Sequence, residues 1–290
     1  MGRVGEGSER CGIEPTTDNQ RVAASDRQPT TNLRSILFQL GPIPIRSYGL
    51  MVAVGFLLGL WRAGRAAGRK GIDPAWVADA ALYMLVAGVV GARLLYVLHE
   101  WPYYRGNLSE IPKVWDAGLS YYGALAAASL AAYVYTRRKS IPFARFADLV
   151  APSVALGYAC ARIGCFLNGC CYGIDTSLPW GVRFHDPFDP AIVTPPSHPT
   201  QLYSALVSLA ILAILVRIDL REHRDGLVFA WYIALYSGTR FIIEFVRAGD
   251  RLPIGPLHLS LAQLASAPLF LCGVLAVVLL SRPIRRTDDR

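Results

Sequence analysis

Residues Phe143–Phe166 read FARFADLVAPSVALGYACARIGCF, and they run directly into LNGCCYG, Leu167–Gly173. The first stretch is apolar for long enough to cross a bilayer, which takes about 20 mostly apolar residues in a helix. Arg162 stands near its end. A charge near the hydrocarbon costs roughly 2.5–3.5 kcal/mol on insertion scales, so such a residue is a functional-site candidate. Gly164, Gly169 and Gly173, with Asn168, break the helix where it reaches the interface. Backbone that turns there exposes N–H groups, and an arginine beside it makes a cradle for a phosphate.

The rest of the chain fits that reading. It is 53% hydrophobic and 17% charged, with mean hydropathy +0.34. This composition excludes an ordinary soluble domain and predicts an all-α, polytopic membrane protein. Seven spans are predicted: Tyr48–Ala67, Val77–His99, Leu119–Thr136, Phe143–Phe166, Leu202–Ile218, Gly226–Val246 and Leu259–Ser281. The third and fifth are the shortest in apolar length. Pro152 and Pro268 fall inside spans, where they are expected to kink the helix. Residues 1–40 are read as a polar, disordered tail without the apolar run of a signal peptide. Residues 41–282 are the seven-helix domain and 283–290 a short basic tail.

Charge orients the spans. Arg62, Arg65, Arg69 and Lys70 follow the first. Arg137, Arg138, Lys139 and Arg145 lie between the third and fourth, and Arg217, Arg221 and Arg224 between the fifth and sixth. Arg282, Arg285, Arg286 and Arg290 end the chain. The alternate loops carry only Arg105, Lys113, Arg183 and Arg251. The C-terminus is therefore expected in the cytoplasm and the N-terminus outside. The loop from Asn168 to Gln201 and the end of the span carrying Arg162 then face outward. The net charge of +8 belongs to cytoplasmic loops. No basic stripe with interleaved aromatics suggests nucleic-acid binding.

Other polar residues fall inside the apolar segments. Tyr236, Arg240, Glu244 and Arg247 are spaced four, four and three, and are predicted to share one helical face. Arg240–Glu244–Arg247 alone reads equally as an internal ion-pair ladder. Gly91-Ala-Arg93-Leu-Leu-Tyr96 places another arginine inside the second span. Ser197-His198-Pro-Thr-Gln201-Leu-Tyr203 enters the fifth, where Thr200 reads as a helix cap or as part of a polar cavity. Asp79 and Asp148 stand near helix starts, where they offset the helix dipole. Cys160, Cys165, Cys170 and Cys171 lack the spacing of a zinc site. Oxidation of Cys165–Cys170 or Cys170–Cys171 outside the cytoplasm is one reading. Small apolar packing is another for Cys160 and Cys165. Cys11 and Cys272 look incidental. No metal and no cofactor are expected.

In this order the motifs resemble the prolipoprotein diacylglyceryl transferase family. The matching pieces are Arg46-Ser-Tyr48-Gly-Leu-Met51, Gly91-Ala-Arg93-Leu94, Ser120-Tyr-Tyr122-Gly-Ala-Leu125 and Arg162-Ile-Gly…Asn168-Gly…Gly173. They continue with His198-Pro-Thr-Gln201-Leu-Tyr203, Tyr236-Ser-Gly-Thr-Arg240 and Glu244-Phe-Val-Arg247. The resemblance covers about residues 40 to 280. It implies a multi-pass enzyme of the bacterial plasma membrane, with its active site towards the extracytoplasmic leaflet. Such an enzyme moves the diacylglyceryl group of phosphatidylglycerol onto the lipobox cysteine thiol of a preprolipoprotein. A thioether forms and glycerol phosphate leaves, the first step of lipoprotein maturation. The implied partners are phosphatidylglycerol, the signal-peptide lipobox and membrane lipids. The resemblance implies that Arg162, Asn168, Gly173, Arg93, His198 and Gln201 surround the headgroup. Arg240 is expected to stabilise the leaving phosphate and Tyr236 to orient it, with Tyr122 the third catalytic candidate. Glu244, Arg247 and Tyr48 support them.

The chain also departs from the family pattern. Cys165 stands where the family often has asparagine, Cys170 and Ser204 where it often has glutamate, and Tyr122 where it often has histidine. A tyrosine of ordinary pKa about 10 is a poor base for a thiol of about 8.5 unless an arginine lowers it. Two alternatives stand beside the transferase. One is a relative that lipidates another acceptor. The other is a non-catalytic lipid-binding or transport protein, for which the internal repeats of transporters are missing from the sequence.

Overall fold

The computed structural model describes residues 36–40, 43–114, 118–185, 193–249, 252–254 and 257–282. The basic tail 283–290 and residues 1–35 of the expected N-terminal tail lie outside them. The last five residues of that stretch do not behave as a polar tail. Ile36–Leu40 (β1) pairs antiparallel with Ile43–Arg46 (β2), and this hairpin leads into the first helix. A second hairpin, Leu252–Ile254 (β3) with Leu257–Leu259 (β4), precedes the last helix.

The other regular elements among the described residues are helical. The helices are α1 (Ser47–Ala67), α2 (Pro74–His99), the single turn α3 (Trp101–Tyr104), α4 (Tyr121–Arg138), α5 (Phe143–Leu167), α6 (Thr200–Asp219), α7 (Leu227–Ile243) and α8 (Leu261–Leu280). Each of the seven expected spans coincides with one long helix, and its ends differ by a few residues. Asp73 accepts from the Ala75 N–H at 2.8 Å to start α2, with Pro74 in the first turn. Ser260 and Gln263 form a reciprocal capping box on α8. Both satisfy amide donors that a helix start leaves orphaned. Pro152 and Pro268 lie inside α5 and α8.

Among the described residues, five segments are long and apolar enough to cross a membrane: α1 with its following 3-10 turn, α2, α5, α6 and α8. α4 has 18 residues but ends in Arg137-Arg138, and α7 has 17. Large apolar side chains point outward along these helices, among them Leu57, Leu82, Val86, Leu206, Leu271 and Leu275. Lipid-facing helices carry this pattern because all their backbone polar groups are satisfied internally and their surface meets hydrocarbon.

The chain divides into two compact units. One comprises residues 60–150; the other comprises 1–59 with 151–290. In the first, Ala63, Ala66, Ala67, Ala80 and Ala132 pack with Ile72, Tyr135, Phe146 and Leu149. There α2 and α4 touch at glycine. A Cβ on Gly91 would meet Ala127 and the Gly123 carbonyl, and one on Gly123 would meet the Gly91 carbonyl. In the second unit Ala151, Ala155, Ile211, Leu215 and Val228 form the core. α1 meets α5 where Gly55 faces Cys160 and Gly157, and α7 meets α8 where Gly273 faces the Ala234 backbone. Small residues let membrane helices approach closely, so dispersion and packing hold them together.

Candidate functional site

The polar residues of the second unit gather around the end of α5. The helix closes with a left-handed glycine. The Gly169 N–H donates to Phe166 O at 3.2 Å, the Cys170 N–H to Cys165 O at 3.2 Å, and Gly169 has φ of 72°. That is the reciprocal pair of bonds with which glycine commonly ends a helix. A side chain at Gly169 would meet the His185 carbonyl at 2.8 Å.

The turn continues into a junction of three strands of chain. Gly173 N–H donates to His198 O at 2.8 Å, His198 N–H to Ile174 O at 3.0 Å, and Ile174 N–H to Val246 O at 3.0 Å. Gly173 itself bridges Arg247. A Cβ there would collide with Val246 O, His198 Cβ at 2.7 Å and Thr200 Cγ2 at 2.8 Å. Gly173 is thus required by the close approach of the Val246 carbonyl and of the His198 and Thr200 side chains. Thr200, read as a helix cap or a cavity residue, instead donates its hydroxyl to Cys171 O at 2.9 Å, and Gln201 Nε2 donates to Cys170 O at 2.7 Å. Gln201 Oε1 and Asn168 Oδ1 are buried with no hydrogen-bond partner. His198 Nδ1 lies 3.2 Å from the Tyr203 hydroxyl, which accepts from Trp180 Nε1 at 2.9 Å.

Beside this junction runs a ladder of cations and rings. The Arg162 guanidinium lies over the Tyr158 ring at 4.7 Å from its centroid. Tyr158 meets Tyr236 edge to face at 5.3 Å, and Tyr236 stacks on Tyr232 at 5.7 Å. Tyr158, Tyr236 and Arg240 line a narrow cleft between α5, α6 and α7, with Ser204, Ser208 and Thr239 among the polar wall and Val207, Ile211 and Ile243 the apolar one. Arg240 Nη1 is held by Glu244 Oε2 at 2.6 Å, and Arg247 Nη1 lies 3.7 Å from the same oxygen. Arg247 Nε is buried without a hydrogen-bond partner.

The expected single face Tyr236–Arg240–Glu244–Arg247 needs correction. α7 stops at Ile243, Glu244–Val246 tightens into a 3-10 turn, and Arg247 is extended with ψ of 139°. Arg247 leaves the helix to pair with Gly173, yet its guanidinium still reaches Glu244. Tyr48 opens α1 against the end of α5, with its Cα 3.3 Å from where a Gly164 Cβ would stand.

Three thiols form a cluster that the sequence spacing did not foretell. The sulfurs of Cys165, Cys170 and Cys171 all lie within 4.8 Å of one another. The fold makes this possible by placing Cys171 in the left-handed region, with φ of 64°. Hydrogen bonds with Cys165 and Cys171, together with burial, push the Cys170 thiol above the ordinary thiol range.

Two candidates belong to the unit of residues 60–150. Arg93 is buried, and its guanidinium donates to Glu110 O at 2.7 Å, Ile111 O at 2.8 Å and Gly118 O at 3.2 Å. Its ring neighbours are Tyr104 and Tyr96. The side chain clamps the loop between α3 and α4 onto α2. Tyr122 stands in the first turn of α4 with 73% of its surface exposed. Tyr158 escaped the sequence reading, although its position one turn before Arg162 on α5 was a signal. Asp148 sits at 0% exposure inside α5, so burial, and not only a helix dipole, surrounds its carboxyl.

Comparison with known proteins places the chain in a family. The family model described as prolipoprotein diacylglyceryl transferase matches residues 35–279. Three relatives carry the name phosphatidylglycerol–prolipoprotein diacylglyceryl transferase. One from Geobacter sulfurreducens is 37% identical over 85% of this chain and 95% of its own. One from Symbiobacterium thermophilum is 35% identical over 88% and 96%. One from Finegoldia magna is 34% identical over 88% and 99%. With a family match over most of its length, relatives of that similarity and a multi-helix membrane architecture, the chain belongs to the prolipoprotein diacylglyceryl transferase family of transferases.

Proposed function

We propose that this chain transfers the diacylglyceryl group of phosphatidylglycerol to the lipobox cysteine thiol of a preprolipoprotein. The observation that carries this reading is the ladder Arg162–Tyr158–Tyr236–Arg240 along a cleft open beside apolar helices. A lipid headgroup must keep its tails in hydrocarbon while its phosphate meets cations, and this ladder offers both. In the reaction the acceptor sulfur attacks the glyceryl CH₂ carbon. The C–S bond forms, the C–O bond to phosphate breaks, and the electron pair leaves on the phosphate oxygen of glycerol phosphate. Charge therefore grows on that phosphate, where arginines stabilise it. Arg162 holds the headgroup and Arg240, aimed by Glu244, takes the developing charge. Tyr236 orients the phosphate between them.

Asn168 and Gln201 offer buried, unpartnered oxygens to the glycerol hydroxyls, and His198 with Tyr203 walls the site. Gly173, Arg247 and Tyr48 maintain the junction on which Arg162 stands. Arg93 fixes the loop that leads into α4 within its own unit. All seven long helices cross the plasma membrane, with the N-terminus outside, the C-terminus in the cytoplasm and the site towards the extracytoplasmic leaflet. The positive-inside bias supports this arrangement.

The test is transfer itself. Purified chain in nanodiscs with phosphatidylglycerol and a lipobox peptide should yield the diacylglyceryl thioether and free glycerol phosphate. A peptide with serine in place of the cysteine should yield neither. A folded chain that forms no thioether would overturn the reading.

A further inference from the structure

We propose that Cys165, Cys170 and Cys171 bind a zinc ion through three thiolates and that its fourth position takes the sulfur of the acceptor peptide. The proposal rests on the transferase reading and names the source of its nucleophile. The geometry comes first. Zinc binds cysteine sulfur at about 2.3 Å and prefers a tetrahedron, which sets sulfurs about 3.8 Å apart. Here the three sulfurs lie within 4.8 Å of one another, so small side-chain rotations close them on one ion.

Each thiol is held where it stands. Cys165 is fixed by α5, Cys170 by its backbone bond to Gln201, and Cys171 by its backbone bond to Thr200. Cys171 keeps φ of 64° although it is not glycine. A non-glycine residue in that region is strained and persists only where its surroundings impose it. The strained position is the one that brings in the third sulfur. A disulfide would use two sulfurs and leave the third without a task; a cation uses all three. Cys165 is buried while Cys170 and Cys171 are half-buried, so the cluster keeps a reachable side. Three protein ligands with one open position is the arrangement of catalytic zinc, whereas structural zinc is closed by four.

The chemistry suits the reaction. A thiol that coordinates zinc loses its proton outright. The peptide S–H displaces the bound water, its proton passes to solvent, and the sulfur remains a thiolate at neutral pH. That sulfur then attacks the glyceryl carbon as written above, and zinc keeps its oxidation state throughout. The product is a neutral thioether, a weaker zinc ligand than the thiolate, so it leaves. Three cysteine thiolates and the peptide thiolate around zinc carry a net charge of minus two. Arg162, one turn before Cys165, offsets part of it and places the phosphate beside the nucleophile.

The experiment uses the intact, detergent-solubilised chain. Metal analysis should find about one equivalent of zinc, the content of a single three-thiolate centre. Replacement by cobalt should give near-ultraviolet thiolate-to-cobalt bands and visible bands of a tetrahedral centre. Adding lipobox peptide should raise the thiolate band by about a third, as three sulfur ligands become four. The serine peptide should leave it unchanged. Cys170→Ser should lower both the metal content and the band. Transfer by a chain that holds no metal and shows no cobalt band would overturn the zinc site and leave the transferase reading standing. So would detection of a disulfide among the three cysteines in active enzyme. A cobalt band that the peptide leaves unchanged would overturn the acceptor role. Bands that respond to the peptide without any thioether product would support the thiol site and overturn the transferase reading.

Discussion

At the scale of single residues, the guanidinium groups are used in different ways. Arg93 is occupied by backbone carbonyls, Arg240 is clamped by a carboxylate, and Arg162 rests on a ring. An arginine over an aromatic face keeps its planar edge available for a second partner, which is how it grips phosphate with two parallel N–H bonds. Arg162→Lys retains the charge and loses the fork. Transfer in the peptide assay should fall about 10²-fold or more, the usual scale for losing one preorganised donor. Near-wild-type turnover would reduce Arg162 to a role in packing. Glu244→Gln tests the clamp. Both partners of the pair are largely buried, and breaking such a pair costs about 3 kcal/mol. The variant should unfold at lower temperature in detergent and also lose transfer, because Arg240 is no longer aimed. An unchanged unfolding temperature would mean that the pair contributes nothing. The sequence pointed to Arg162, Arg240 and Glu244 because charge in an apolar segment is conspicuous. It passed over Tyr158, because a tyrosine near a membrane interface is ordinary, and it could not assemble the three cysteines. Their proximity depends on a left-handed backbone at Cys171, which no spacing rule encodes.

At the scale of elements, the helices were legible and their ends were not. Apolar runs in the sequence marked all seven as helices, although five among the described residues reach membrane-spanning length and apolarity. The loss of helix after Ile243 was hidden, since Glu244, Phe245 and Val246 continue the apolar and polar rhythm while the backbone tightens to bring Arg247 against Gly173. The β1–β2 hairpin was hidden too, because Ile36–Leu40 is short and follows a long polar stretch. Gly173 matched the family motif and was expected near the headgroup. The structure shows the physical demand on it: the Val246 carbonyl and the side chains of His198 and Thr200 stand where any Cβ would go. Gly173→Ala should therefore separate the α5–α6 turn from the segment after α7. Overpacking of this kind costs about 1–3 kcal/mol. The turn also carries the backbone that fixes Cys170 and Cys171. Transfer should fall well before the fold is lost. An alanine variant with wild-type turnover and unfolding temperature would show that the junction yields freely.

At the scale of the whole molecule, the question is which side of the membrane the α5–α6 loop occupies. Five helices satisfy length and apolarity, and α4 and α7 fall just short. A helix rises about 1.5 Å per residue, so the 18 residues of α4 reach about 27 Å. The 17 residues of α7 reach about 26 Å, and the 3-10 turn that follows adds about 6 Å. Both lengths approach the hydrocarbon thickness of about 30 Å. Five and seven crossings put the C-terminus on the same side, so a reporter there decides nothing. They differ at the loop. If α4 crosses, the chain between α5 and α6 lies outside and the basic turn Arg137–Arg145 lies in the cytoplasm. If it does not, α5 runs the other way and the loop with the end of α5 faces the cytoplasm. Ser177 and Ser140 are exposed positions on the two loops. In intact cells a membrane-impermeant maleimide should label Ser177→Cys above the parent chain and leave Ser140→Cys at the parent level until the membrane is opened. The reverse pattern would place the arginine ladder at the cytoplasmic leaflet. The acceptor cysteine of an exported precursor would then have to meet it from the other side.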